Sequence, residues 1–354
     1  MQIMNGTEAH LEIVENLQSL PVRMQVMQAV LLLPALLAFS IASKHLDEEW
    51  DMWKSKYGKK YLTADVEKFR RNAWEATWQK VRDHNLLADH GNKSYRLEMN
   101  HFADLTTHER NSRGCLMATQ SAEKPMEVNK YRNTINLPKE VDWRKEHCVT
   151  EPKNQGSFCG SCWAFATIGA IESRYCIKHK QLLDFSEQQL VDCDSRNQAC
   201  CGGLPRYAFE YISEHGIMKK EDYKYVEHAE MCAYQEKDAI KMNISKFYVL
   251  PEESNIAAAV AFEGPVTVAF AVSQDFQLYN GEGIYDGDCA EEINHAIIIV
   301  GYGTENDEDF WIIKNSWGTE WGENGYGKVR RNSNQCKIAE EVATADIMGN
   351  REEQ

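Results

Sequence analysis

Gln155–Phe165 reads QGSFCGSCWAF, and the second cysteine in it, Cys162, decides how the rest of the chain is read. From Ser161 onward Phe165, Ile168, Ile171 and Tyr175 recur at helical spacing. Cys162 therefore belongs in the first turn of a long, partly buried helix, at the end where the macrodipole is positive. A thiol there ionises more readily than its ordinary pKa of about 8.5 allows. Further on, His295 stands in NHAIIIVGYG and Asn315 in KNSWGTEWG. A cysteine, a later histidine and an asparagine, far apart in sequence and able to meet in space, are the parts of a nucleophilic thiol site.

The segments around these residues suggest the fold. GPVTVAFAV, HAIIIVGYG, DFWIIKNSWG and GYGKVRR read as strands bounded by glycine turns. Helical pattern comes first and sheet pattern second, which argues for an α+β arrangement in two lobes. CGSC is also a CxxC. A redox site should follow a strand in a βαβ unit, and no such unit precedes it. A zinc site needs a second ligand pair at matching spacing, and Cys200–Cys201 is a poor one. A lone His295 would be read as a core histidine; beside Cys162 and NSWG it reads as the partner of the thiol.

At 354 residues the chain has room for two or three domains. Its net charge of −15 argues against nucleic acid as a partner. Eleven cysteines are many for a cytosolic protein. Val30–Ala42 is apolar, too short to span a bilayer comfortably, and ends in small residues, the form of a secretory signal peptide. That implies disulfide-permitting conditions. Met24 is then the working start, with cleavage near Ala42 or Ser43; the competing reading is a buried or anchoring helix. Residues 46–110 read as helical. Trp50, Trp53 and Tyr57 follow one stripe and Arg70, Trp74, Thr77, Val81 and Asn85 a second, both of which alone would be core. Residues 111–136 are polar and aperiodic, as in a linker.

From Trp50 to Ile347 the chain closely resembles the papain-like cysteine proteases of the cathepsin L type. VEKFRRNAWEATWQKVRDHN resembles the helix motif of their propeptides: Arg70, Trp74, Val81 and Asn85 fit, while Val66 and Thr77 depart from it. Asn100, Phe102 and Asp104 in LEMNHFADLT resemble the second propeptide motif, and LPKEVDWR the mature amino terminus. The resemblance implies a leader and signal peptide over 1–43, a helical inhibitory propeptide with linker over 44–136, and a papain-like peptidase domain over 137–354. That domain is expected as a two-lobed α+β fold, one lobe helical and one β-barrel-like.

The same resemblance assigns roles. Cys162 is the nucleophile and His295 the base that later protonates the leaving amine. Asn315 holds the imidazole, and Trp317 shields that bond. Gln155 and the Cys162 N–H bind the oxyanion. Gly202 and Gly203 offer backbone to the substrate. Leu204, Pro205, Ala269, Ile293 and Ala296 wall the pocket for the second residue upstream of the cut, with Glu341 at its floor. A carboxylate there adds Arg to the bulky apolar residues such a pocket takes, unless it points to solvent. Cys159 pairs with Cys200, Cys193 with Cys232 and Cys289 with Cys336, each bridge contributing roughly 3–4 kcal/mol. Protein and peptide substrates, the chain's own propeptide as inhibitor and cystatin-like inhibitors are the implied partners. No cofactor, metal or stable membrane anchor is implied. A monomer is expected, either lysosomal or secreted and with a cleft open at both ends, its propeptide released as acid protonates carboxylates such as Asp104.

The departures matter. Phe158 is an extra residue between Gln155 and CGSC. It either bulges outward harmlessly or swings Gln155 away from the oxyanion, and in the second case the chain is a catalytically silent homologue that acts by binding. Cys148, Cys176 and Cys201 remain over; a Cys148–Cys176 bridge is one expectation, and Cys201 is either inert or a competitor of Cys200. Asn92-Lys-Ser and Asn243-Ile-Ser are glycosylation sequons.

Overall fold

The computed structural model describes residues 44–106, 109, 136–242, 244–250 and 252–347. The leader, most of the linker and the Asn243 sequon lie outside the described residues. The chain divides after Arg71 into two compact units.

In the first unit residues 44–56 are helical. Trp50 stacks on Trp53 with ring centroids 5.3 Å apart, and on Tyr61 at 5.8 Å. The aromatic spacing read in the sequence thus serves ring stacking on one helix face. Arg71 reaches Asp47 at 3.3 Å.

Helix α1 spans Ala64–Asp89 and buries Trp74, Thr77, Val81 and His84, one stripe at intervals of three and four. The chain then departs from the sequence reading, which took 46–110 as helical throughout. Tyr95–Leu97 is a strand, β1, paired antiparallel with β5 (Tyr279–Gly283). Its alternation explains why: Tyr95 and Leu97 are buried while Arg96 between them is half-buried. Asn85 completes the edge, its Nδ2 donating to Leu97 O at 2.8 Å and its Oδ1 accepting from Leu97 N at 2.9 Å.

The rest of the second unit is an α+β fold. Its helical part is built on α2 (Cys162–His179), with α3 (Glu187–Cys193) and α4 (Pro205–His215). Trp163, Ile168, Ile171, Phe185, Leu190, Phe209 and Ile212 form its core. The sheet part is one antiparallel sheet in the order β3 (Ile244–Val249), β9 (Val342–Ile347), β4 (Val266–Phe270), β6 (His295–Glu305), β7 (Glu308–Lys314), β8 (Tyr326–Arg330), with β2 (Val141–Asp142) also on β6. A second core of Val266, Val268, Ile297, Ile299, Trp311 and Ile313 lies on it.

Two devices join the parts. Cys162 and Ala166 of α2 share a buried cluster with Ala296, Ile298 and Val300 of β6. Arg174, buried on the same helix, donates to Pro265 O at 2.9 Å, Ala345 O at 3.0 Å and Gly264 O at 3.2 Å. A charged group inside a protein needs such partners. Four disulfides close the fold: Cys148–Cys176, Cys159–Cys200, Cys193–Cys232 and Cys289–Cys336. Among the described residues Cys162, buried, and Cys201, exposed, lie outside the disulfides. No helix of the described residues is long and apolar enough to cross a membrane.

Candidate active site

Cys162 is the first residue of α2. Ser161 before it makes no side-chain cap; its hydroxyl bonds Tyr225 Oη at 2.6 Å instead. Tyr225 in turn donates to Gln155 O at 2.8 Å, so the serine is the donor of the pair. The thiol thus sits at the N-terminal end of the helix, where the macrodipole favours a negative charge.

His295 opens β6 and Asn315 follows the end of β7, so the sheet itself sets the two side by side. His295 Nε2 lies 2.8 Å from Asn315 Oδ1. Which amide atom faces the ring is settled by a neighbour. Ser316 N–H donates to the same Oδ1 at 2.8 Å, and a flipped amide would set N–H against N–H there. The oxygen must accept, so Nε2 carries the proton and Nδ1 is the basic nitrogen of the neutral ring. Asn315 Nδ2 is buried with no hydrogen-bond partner among the described residues. Trp317 stacks on the imidazole with centroids 4.6 Å apart and planes at 27°. Burial pushes His295 down to about 4, against the opposing pull of Asn315. The imidazole is neutral at neutral pH in this form of the chain.

Gln155 is buried, held by Ser316 on two sides. Its N–H donates to Ser316 O at 2.9 Å and its Oε1 accepts from Ser316 Oγ at 2.6 Å. Its Nε2 donates to Cys159 O at 3.3 Å, a long bond that leaves the second N–H of the amide for other use. Phe158 is 87% exposed, so the extra residue is extruded into solvent, and Gln155 is buried.

Residues 137–345 match the Papain family cysteine protease domain, and residues 50–109 the Cathepsin propeptide inhibitor domain (I29). The chain belongs to the papain family of cysteine proteases. Cathepsin S of Bos taurus is 40% identical over 321 residues, covering 86% of this chain and 96% of that one. A cathepsin L-like proteinase of Fasciola hepatica is 37% identical, covering 83% and 91%. Among solved structures, digestive procathepsin L2 proteinase from the larval midgut of Tenebrio molitor superposes with a TM-score of 0.79 at 34% identity, covering 85% of this chain and 99% of that one. The protease is therefore made as a zymogen, with its inhibitor domain in the same chain.

That inhibitor domain docks through more than β1. Tyr95 is buried against Tyr285 and His84, with centroids 4.7 Å and 4.5 Å away, and donates to Asp275 Oδ2 at 3.0 Å. Asn100 Nδ2 donates to Gln277 O at 2.7 Å, and Phe102 meets Trp317 edge-on at 5.3 Å. Asp104 is buried. The inhibitor domain thus meets the indole that stacks on His295.

Around the cleft, the Cys159–Cys200 bridge ties the loop before Cys162 to the Gly202–Gly203 turn. Gly203 has no room for a side chain, since a Cβ would lie 2.6 Å from both Trp163 and Asn197. Leu204, Pro205, Ala269 and Ala296 are buried, and Ile293 is half-buried. Glu341 is buried, with its O accepting from Ala269 N at 2.8 Å. Asn92 is exposed in the turn after α1.

Sequence reading missed a buried charge network behind Asn315. Lys314 Nζ donates to Thr150 Oγ1 at 2.8 Å, and Thr150 to Glu172 Oε2 at 2.6 Å. Lys153 lies 2.7 Å from Glu172 and 2.6 Å from Glu187, and also pairs with Asp184. Burial drives Lys314 down to about 8. Its place beside Asn315 in KNSW was the available signal. Ser316, Tyr225 and Arg206 were missed too, because their contacts join segments far apart in sequence.

Proposed function

We propose that the protein is an acid-activated cysteine endopeptidase. Cys162 attacks the scissile carbonyl as a thiolate, and His295, having taken its proton on Nδ1, returns it to the leaving amine. Asn315 holds the imidazole by its Oδ1, and Trp317 keeps water from that bond. Gln155 and the Cys162 N–H receive the oxyanion; the Nε2 bond to Cys159 O is long enough to be exchanged for it. The observation that carries the reading is the pinned Asn315 amide, which forces the proton onto Nε2 and leaves Nδ1 for the thiol.

Substrate strands lie along Gly202 and Gly203. The second residue upstream of the cut enters the apolar site of Leu204, Pro205, Ala269, Ile293 and Ala296. The docked inhibitor domain keeps the zymogen silent until acid weakens its hold. A lysosomal or secreted monomer, sugar at Asn92 and cystatin-like inhibitors fit this reading and the names of the relatives.

Zymogen incubated at pH 4 to 5 and titrated with an epoxide thiol-protease inhibitor tests it. Stoichiometric labelling of Cys162 with loss of peptide hydrolysis is expected. Acid-processed protein that neither hydrolyses peptides nor takes the epoxide would favour the silent homologue.

A further inference from the structure

Glu341 is 9% exposed and its Oε1 has no hydrogen-bond partner among the described residues. A carboxylate so placed needs a cation, and the chain supplies one. Arg206 Nη1 lies 3.6 Å from that Oε1, beyond a direct hydrogen bond but within ion pairing. Both side chains are mostly enclosed, at 15% and 10% exposure. Arg206 follows Pro205 in the first turn of α4, and Glu341 immediately precedes β9 with its carbonyl on Ala269. The two charges therefore meet beside Leu204, Pro205 and Ala269. The Arg206 guanidinium also lies over the Tyr207 ring at 5.0 Å, which limits its freedom to swing away. Burial raises the pKa of Glu341 and Arg206 opposes that rise.

We propose that Arg206 is a specificity-determining residue, the built-in counter-ion that makes the pocket floor a neutral pair instead of a bare carboxylate. The proposal rests on the reading of these residues as the pocket for the second substrate residue upstream of the cut. An incoming Arg must compete for a carboxylate already matched by an Arg of the enzyme, so it gains little. A Leu or Phe disturbs neither charge. Removing one member of the pair leaves the other enclosed and uncompensated. The pocket then selects for whatever restores the balance: a cation when Arg206 is gone, an anion when Glu341 is gone.

The test is a profile of kcat/KM on acid-activated enzyme, using peptides that differ only in Leu, Arg or Glu at that position. The unaltered enzyme should favour Leu over Arg by at least about tenfold, or about 1.4 kcal/mol. In Arg206→Gln the Arg-to-Leu ratio should rise at least about tenfold. In Glu341→Gln the Glu-to-Leu ratio should rise and the Arg signal should not. The reversed pair Arg206→Glu with Glu341→Arg should return the preference for Leu. If both single variants hydrolyse the Leu peptide and keep the ratios of the unaltered enzyme, Arg206 plays no part in selection and the proposal is overturned. An unaltered enzyme that cuts the Arg peptide as well as the Leu peptide overturns it too. Failure of the unaltered enzyme to cut any of them, with no epoxide titre, instead sinks the functional reading on which it rests.

Discussion

His295 and His84 are both buried histidines, at 5% and 7% exposure, and burial pushes both imidazoles below their ordinary value. One belongs to the proposed catalytic site and the other to the inhibitor domain, and their surroundings differ. His295 touches neutral groups, the Asn315 amide and the Trp317 indole. His84 Nε2 lies 3.0 Å from Tyr95 O, and its ring packs on Tyr95. Asp275, Lys93 and Lys80 act on it through charge. In the mechanism proposed above, a proton on His295 has the Cys162 thiolate as its counter-charge. A proton on His84 is disfavoured by burial in the docked state. On the proposed reading, one kind of residue, buried in one way, serves both catalysis and restraint.

The largest expected effect breaks the comparison at its catalytic side. His295→Ala should lower kcat/KM of the processed enzyme by at least about 10³-fold on a Leu-containing peptide. His84→Ala should leave the processed enzyme unchanged, because the inhibitor domain is then gone. A His295→Ala enzyme within tenfold of the unaltered one would remove the histidine from the mechanism.

Next in size is the amide that holds His295. Asn315→Ala removes the acceptor at Nε2, so the ring loses both its preferred tautomer and its orientation. A loss of about 10²-fold in kcat is expected, with KM little altered. An equal rise in KM with kcat preserved would mean that Asn315 serves substrate binding instead.

Much of this was legible in the sequence, for reasons visible in particular residues. Cys162 announced itself because Phe165, Ile168, Ile171 and Tyr175 fix the helix that starts there. The strand that His295 opens and the one that Asn315 follows were legible from their β-branched runs. Tyr95–Leu97 was misread as helix because an alternation over only three residues is too short to read as a strand; β5 across the fold decides their shape. The Arg206–Glu341 pair was illegible because its members are far apart in sequence, and only the packing of α4 beside the start of β9 lets them meet. The exposure of Phe158 was equally a matter of space, since the same insertion could have turned inward.

On the restraining side, Asn85→Ala strips both partners from the Leu97 backbone at the edge of β1. Buried backbone groups left without partners cost about 1–3 kcal/mol each. Water reaches some of that edge, so processing of the zymogen at pH 6 should quicken by about tenfold. Equal processing rates would show that β1 holds without its asparagine.

The smallest effect sharpens the comparison most. The docked form of His84 has a lowered pKa, so the undocked form binds the proton more readily. Above the ordinary value of 6.5 both forms are neutral and docking has its full strength. As pH falls from there toward the lowered docked value, the undocked state gains protons first and docking weakens. On the proposed reading, acid is therefore expected to weaken docking through this residue. His84→Gln keeps a donor for Tyr95 O and cannot titrate. Its zymogen should process with a midpoint lower by about half a pH unit or more, while at pH 7.5, where His84 is neutral, inhibition should match that of the unaltered chain. A midpoint that stays put while inhibition at pH 7.5 is intact would assign acid sensing to the carboxylates alone, and the likeness between the two histidines would then be one of burial without shared use.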